Sequence, residues 1–152
     1  MLKCKHARYE PLAAGLGRQL AQRVREHPFD QPPELVAAVP MFWLQRLWRG
    51  ANAAESLAVA VAAELCLPVA TDLLVCRRFL RKQSTLKPDE RRRNVRRAFR
   101  SSWRYNIRGA RLLLIDDVMT TGATAQETAR VLKAAGVAAV YVAAIARGMG
   151  VR

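Results

Sequence analysis

The sequence predicts an α/β fold, a parallel twisted sheet with helices on both faces, and three observations carry this. Segments such as ARLLLID (residues 110–116) and AAVYVAAIA (residues 138–146) are near-continuous aliphatic runs, the pattern of strands buried on both faces. They alternate along the chain with helical patterns, as βαβ units do. At 152 residues, 51% of them apolar, the chain suffices for one compact domain, residues 1–152, with a substantial core.

The elements follow in order. Leu12, Leu16, Leu20 and Val24 recur every four residues, giving an apolar stripe on a helix that ends near His27 and Pro28. ELVAAVP, residues 34–40, reads as a short buried strand stopped by proline. A second helix is expected from about Asn52 through AAESLAVAVAAEL to Leu67, ended by Pro68; its alanines favour helix and its apolar character implies burial. VATDLLVC, residues 69–76, reads as a second strand. KPDERRRNVRRAF fits either a helical turn or a mobile loop, and ARLLLID is the third strand. Residues 124–135 form a helix closed by Gly136, with Thr124 as a candidate N-cap, and residues 138–146 are the fourth strand.

Charge is concentrated. The formal net charge is +14, and residues 77–104 hold ten Arg and two Lys against Asp89 and Glu90, so +10 of it lies in that stretch. An anionic partner is implied. The N-terminal MLKCKHARYEPL lacks the apolar core of a signal peptide, and no run approaches a membrane span, so a soluble cytoplasmic protein with no membrane partner is expected. Cys4, Cys66 and Cys76 are odd in number and contain no CxxC; Cys66 and Cys76 read as small buried apolar residues. Cys4 beside His6 supplies too few ligands for a metal site.

The stretch LLLIDDVMTTGAT, residues 112–124, carries the chemistry. A buried strand ends in Asp116 and Asp117, where ligands bind in open α/β sheets. Successive strand residues point to opposite faces, so both carboxylates share one crevice only if the strand is turning at Asp116; otherwise one touches ligand and the other supports it. Val118 and Met119 lead to Thr120, Thr121, Gly122, Ala123 and Thr124, where hydroxyls and a close-approaching backbone meet a helix start, a ready anion site. Carboxylates for sugar hydroxyls or Mg²⁺, followed by a phosphate cradle, suit a phosphorylated sugar.

This stretch resembles the phosphoribosylpyrophosphate (PRPP) signature of type I phosphoribosyltransferases. Two further blocks, AVPMFWLQRLWRGAN and KQSTLKPDERRRNVRRAF with Gln83, Leu86, Glu90, Arg92, Asn94, Val95, Ala98 and Phe99, resemble the ComF branch, linked to competence and DNA uptake. The resemblance implies a type I phosphoribosyltransferase-like core. It implies that Asp116 and Asp117 hold the ribose of PRPP directly or through Mg²⁺, that Thr120 to Thr124 wrap the 5-phosphate with Val118 and Met119 also in the PRPP-binding set, and that Arg46 and Arg49 face the pyrophosphate. Preorganised cations there lower the barrier to pyrophosphate departure. Lys82, Arg91, Arg92 and Arg93 occupy the place of the loop that closes over substrates. With Asp116, Asp117, Arg49 and Lys82 as the catalytic candidates, the expected reaction moves a phosphoribosyl group to or from a nitrogenous acceptor. The pattern RGFNQ reads RGANA here, and the chain starts where the branch's zinc module would end, so no zinc is expected.

Two other readings stay open. The chain is then a catalytically silent binder of PRPP or a nucleotide, or a nonspecific nucleic-acid binder through residues 77–104, with Phe99, Trp103 and Tyr105 available for stacking unless Phe99 and Trp103 pack as a helical pair. A homodimer is compatible with all three.

Overall fold

The computed structural model describes residues 10–49, 51–81 and 86–148. Leu112, Leu113, Leu114 and Ile115 are all essentially inaccessible to solvent, so the strand they build, β5 (Arg111–Met119), has both faces covered. It pairs in parallel with β1 (Leu35–Ala38) on one side and β6 (Ala139–Arg147) on the other, and β1 pairs with β2 (Val69–Ala70), giving a four-stranded parallel sheet in the order β2-β1-β5-β6. The two neighbours of β5 differ in reach. β6 pairs as far as Met119, whereas β1 runs out at Ala38 opposite Ile115. The Val39 N–H donates a last bond to the Ile115 carbonyl at 2.9 Å, and Pro40 has no N–H to continue.

α1 (Glu10–Glu26) and α3 (Ala53–Leu65) pack against one another and the sheet, and α5 (Ala123–Ala134) packs on β5 and β6. α3 buries Leu57, Ala58 and Val61, as its apolar run requires. It ends at Cys66, held in the left-handed conformation with φ 55°, and that position leaves Cys66 exposed rather than buried as expected; Cys76 is buried. Among the described residues no helix is long and apolar enough to cross a membrane.

Three departures from the sequence reading shape the site. First, residues 69–76 are not one strand. The chain leaves the sheet after Ala70, and β3 (Leu74–Cys76) pairs antiparallel with β4 (Phe99–Ser101) in a separate ribbon. The break is fixed by Asp72, whose carboxylate accepts from the Tyr105 hydroxyl and from Arg104, and by the Ser102 N–H donating to Leu73 O at 2.7 Å. Second, a seven-residue helix, α2 (Trp43–Arg49), follows β1 where no element was expected, and of the two readings given for the basic stretch the helix forms, as α4 (Pro88–Val95). Proline opens α4 and the Glu90 carboxylate accepts the Lys87 N–H at 2.8 Å, two devices that satisfy a helix start. Third, Phe99 and Trp103 are no helical pair: Phe99 is buried on β4, and Trp103 is 87% exposed in the turn beyond it. Tyr105 is tied to Asp72, so Trp103 alone of the three aromatics presents an open ring.

Gly17 is a close approach. A Cβ there would lie 2.4 Å from the Ala60 Cβ of α3, whereas one at Gly15 would meet nothing within 4 Å. Both sit inside α1, where alanine is favoured over glycine by about 1 kcal/mol. Gly15→Ala should therefore stabilise the fold by about 0.5–1 kcal/mol, and Gly17→Ala should destabilise it by about 1–2 kcal/mol because overpacking outweighs propensity. Urea denaturation of the two variants checks the opposite signs.

Candidate functional site

Beyond Ile115, β5 keeps a neighbour only on the β6 side, with Asp116 opposite Ala144 and Val118 opposite Ala146. On the other side the chain has turned away at Pro40, and a crevice of about 370 Å³ opens there. The strand has not turned at Asp116, since it runs extended to Met119. The two side chains accordingly differ in depth: Asp116 is 9% exposed and Asp117 lies open, yet both border the crevice. Each carboxylate accepts the N–H of the next residue, Asp117 N–H to Asp116 Oδ1 at 2.9 Å and Val118 N–H to Asp117 Oδ1 at 2.8 Å. These local bonds hold both acids at the strand end. Burial, and then the neighbouring Asp117 charge, push the Asp116 carboxyl up to about 7.

Thr120, Thr121 and Gly122 make the turn into α5, and all line the same crevice with Ala123, Thr124 and Ala125. Gly122 stands at the N-cap with φ 74°, a conformation that costs other residues strain, and as glycine it brings no capping side chain of its own. Thr124, a candidate N-cap in the sequence, is instead the second residue of the helix. A helix start with glycine at its N-cap directs N–H groups and the positive end of its dipole at whatever occupies the crevice. The turn is held from outside by the Gly148 N–H donating to Met119 O at 2.9 Å. A Cβ on Gly148 would come 3.0 Å from Thr120 Cγ2, so a larger residue there would press on the Thr120 side chain. The buried Thr128 hydroxyl, donating to Thr124 O and Ala125 O, fixes the first turn from inside.

The facing wall comes from residues that the sequence did not single out as site candidates. Asn52 is buried, with its Nδ2 donating to Val39 O at 3.1 Å, and so ties the start of α3 to the end of β1. Gln45 Nε2 donates to Leu80 O at 2.9 Å, joining α2 to residues 80–81. Arg81 lines the crevice, and its backbone is clamped at both N–H and carbonyl by the Asn94 side chain of α4. Arg81 is one of ten arginines in residues 77–104, and nothing in its spacing singled it out.

The expected cations are placed unevenly. Arg46 forms an ion pair with Glu55 at 2.9 Å and borders a smaller depression beside Asp72 rather than the crevice. The side chain of Arg49 and the whole of Lys82 lie outside the described residues. Arg91 Nε donates to Leu86 O at 2.9 Å. Arg92 and Arg93 line a different depression with Arg96 and Arg97. The structure thus brings Asp116, Asp117 and residues 118–124 together, and adds Gln45, Asn52 and Arg81.

This arrangement has two halves. Carboxylates accept hydroxyl hydrogen bonds or hold a cation; a helix start receives an anion. Among the described residues no three His, Cys, Asp or Glu side chains converge as a metal cage. Two carboxylates nonetheless fit Mg²⁺ of the kind that is shared with ligand phosphates and water.

A parallel sheet with acids at a strand end and an anion cradle at the next helix defines the type I phosphoribosyltransferase-like class. Solved structures agree on the fold. The allosteric regulatory enzyme of purine biosynthesis superimposes with a TM-score of 0.58 at 22% identity over 88% of this chain and 25% of that one. A purine phosphoribosyltransferase from Pyrococcus horikoshii gives 0.52 at 18% identity over 87% of this chain and 70% of that one. The phosphoribosyl transferase domain family matches residues 51–150. DNA utilization protein YhgH of Salmonella typhimurium is 33% identical over 94% of this chain and 63% of its own length, and Competence protein F of Haemophilus influenzae is 30% identical over 76% and 51%. The chain belongs to the phosphoribosyl transferase domain family, in its ComF branch. It spans under two thirds of the length of these curated relatives.

The Asp116 carboxyl titrates higher in the fold than the usual value of 3.8, so the fold favours its neutral form. Its contribution to stability is full below about pH 4 and is lost as pH rises toward about 7. Asp116→Asn removes that dependence. Above pH 7 the ligand-free variant should be more stable than the parent by on the order of 3 kcal/mol, and near pH 4 the two should converge. Denaturant midpoints across this range check it; parallel curves would contradict the assignment.

Proposed function

We propose that the crevice binds the 5-phosphoribosyl group of PRPP or of a nucleotide, and that the chain transfers this group between pyrophosphate and a nitrogenous acceptor. One observation carries the reading: two adjacent carboxylates and a helix start with glycine at its N-cap border a single crevice. Asp117, the exposed acid, takes ribose hydroxyls. Residues 120–124 receive the 5-phosphate. Mg²⁺ bound with PRPP would screen the pyrophosphate charge and would be held through Asp116 and Asp117. In the transfer the C1–O bond breaks with its electron pair leaving on pyrophosphate, while the acceptor nitrogen forms the C1–N bond and releases its proton to water. Positive charge that develops at C1 is stabilised by the nearby carboxylates, and Arg81 is the described cation bordering the crevice that can meet the leaving group. Arg49 and Lys82 complete the proposed set.

A second reading, binding without turnover, is favoured by Arg46, whose charge is neutralised by Glu55 away from the crevice. The relatives named for DNA utilization and competence support a role in DNA utilization, and a cytoplasmic location is part of this proposal.

PRPP with Mg²⁺ should raise the melting temperature of the parent, and Asp117→Asn, with its fold intact, should lose most of that shift. An unchanged shift in the variant would sink the assignment of the site. Pyrophosphate release from PRPP across a panel of nucleobases then separates the readings: turnover supports transfer, and a shift without turnover supports binding alone.

A further inference from the structure

On the other side of the α5 start, Arg92, Arg93, Arg96, Arg97 and Arg130 border a depression of about 600 Å³, and Ala123 lines both it and the crevice. Glu127 is the single carboxylate on its rim, and it is already engaged. It accepts from Arg130 Nη2 at 2.7 Å, from Arg130 Nε at 3.0 Å and from the Arg97 N–H at 2.8 Å. Arg92, Arg93, Arg96 and Arg97 form no ion pair among the described residues. Arg92 and Arg93 stand in the last turn of α4, where the helix dipole favours cations. That account does not extend to Arg96 and Arg97. Arg97 also holds φ 56°, a left-handed conformation that glycine would adopt without strain. An arginine at this position adds repulsion at a residue whose backbone is already in the left-handed region, and an anionic ligand would offset the repulsion.

We propose that this depression carries the phosphodiester backbone of a single-stranded nucleic acid whose 3′-terminal nucleotide occupies the crevice. The inference rests on the phosphoribosyl reading and names its ligand. In any strand only the 3′-terminal nucleotide has a free 3′-hydroxyl, and in RNA a free 2′-hydroxyl beside it. An internal nucleotide would press its 3′-phosphate against Asp116 and Asp117, where like charges repel. The terminal nucleotide fits instead: its hydroxyls donate to the carboxylates and its 5′-phosphate sits at the α5 start. Because that phosphate is a diester, the strand continues from it, past Ala123, onto the arginines. Guanidinium groups suit successive phosphates through forked hydrogen bonds. An acidic peptide would satisfy the arginines but leave the carboxylate pair without a role.

Fluorescence anisotropy with short 5′-labelled single strands at physiological salt tests this. A 3′-hydroxyl strand should bind at least about tenfold tighter than the same strand ending in 3′-phosphate, and PRPP should displace it. RNA ends should bind as tightly as DNA ends or tighter, since the second hydroxyl adds a donor. Arg97→Gly should weaken strand binding while leaving the melting temperature equal or higher and the PRPP shift intact; Arg96→Gln should weaken it without touching the PRPP shift. Equal affinity for both ends, failure of PRPP to compete, or displacement by polyglutamate as effective as by a 3′-hydroxyl strand would overturn the inference. If PRPP shifts the melting temperature but the ends are not discriminated, only the inference fails. If PRPP produces no shift, the phosphoribosyl reading fails and the inference with it.

Discussion

The hydrogen bond from the Val39 N–H to the Ile115 carbonyl is the last rung between β1 and β5, and the site exists because no rung follows it. Pro40 cannot donate, so β1 ends while β5 continues toward Met119 with β6 as its neighbour. Every later feature uses the space this opens. Asp116 and Asp117 are the first side chains of β5 past the last rung, α2 and Asn52 close the space from the β1 side, and the turn at Gly122 brings the α5 start in from the other. If β1 paired two residues further, backbone would fill the crevice.

The space comes with an electrostatic cost. Asp116 is buried beside a second acid, and neither forms an ion pair among the described residues, although Arg81 borders the same crevice. Bonds from the next N–H groups satisfy part of each carboxylate's acceptor capacity but bring no full positive charge. The ligand-free fold therefore favours the neutral form of Asp116, whose carboxyl is raised to about 7 by burial and the neighbouring acid. Ribose hydroxyls or a cation shift the balance toward the charged form, because they donate to it or neutralise it. Fold stability and ligand affinity are thus opposed at this residue, as is common where a binding site is built at the edge of a core.

The parallel sheet was legible because residues 112–115 and 139–145 carry uninterrupted apolar runs, and the site was legible because acids and a Thr-Gly turn follow one of them without a gap. What escaped the sequence depends on partners far along the chain. The break after Ala70 is made by Tyr105 and Arg104 acting on Asp72, more than thirty residues away, and no local pattern announces it. Gln45 and Arg81 become crevice residues only when α2 docks on residues 80–81 and Asn94 clamps the backbone at Arg81. Trp43 and Leu47, both more than half exposed, give α2 no apolar stripe to read. The helix at residues 88–95 is hard to read for a related reason: it has almost no apolar face, and among its described side chains only Val95 is buried, with Leu86 buried just before it.

That sparse anchoring explains how one run of like charges serves different ends. Val95 packs with Phe99, Cys76 and Ala123, while Arg78 donates to the carbonyls of Asn94 and Arg96, so α4 is fastened mainly at its C-terminal end. Fastening there sorts the arginines by position. Arg78 and Arg91 spend their guanidinium groups on backbone carbonyls, Arg104 pairs with Asp72, Arg81 faces the crevice, and Arg92, Arg93, Arg96 and Arg97 gather behind the α5 start. Charge density alone would give a uniformly basic surface with only nonspecific affinity for anions. The helix and the left-handed residue after it convert that density into two separate anion-facing surfaces that meet at Ala123. A ligand with one phosphate can use either surface, and only a ligand with several can use both.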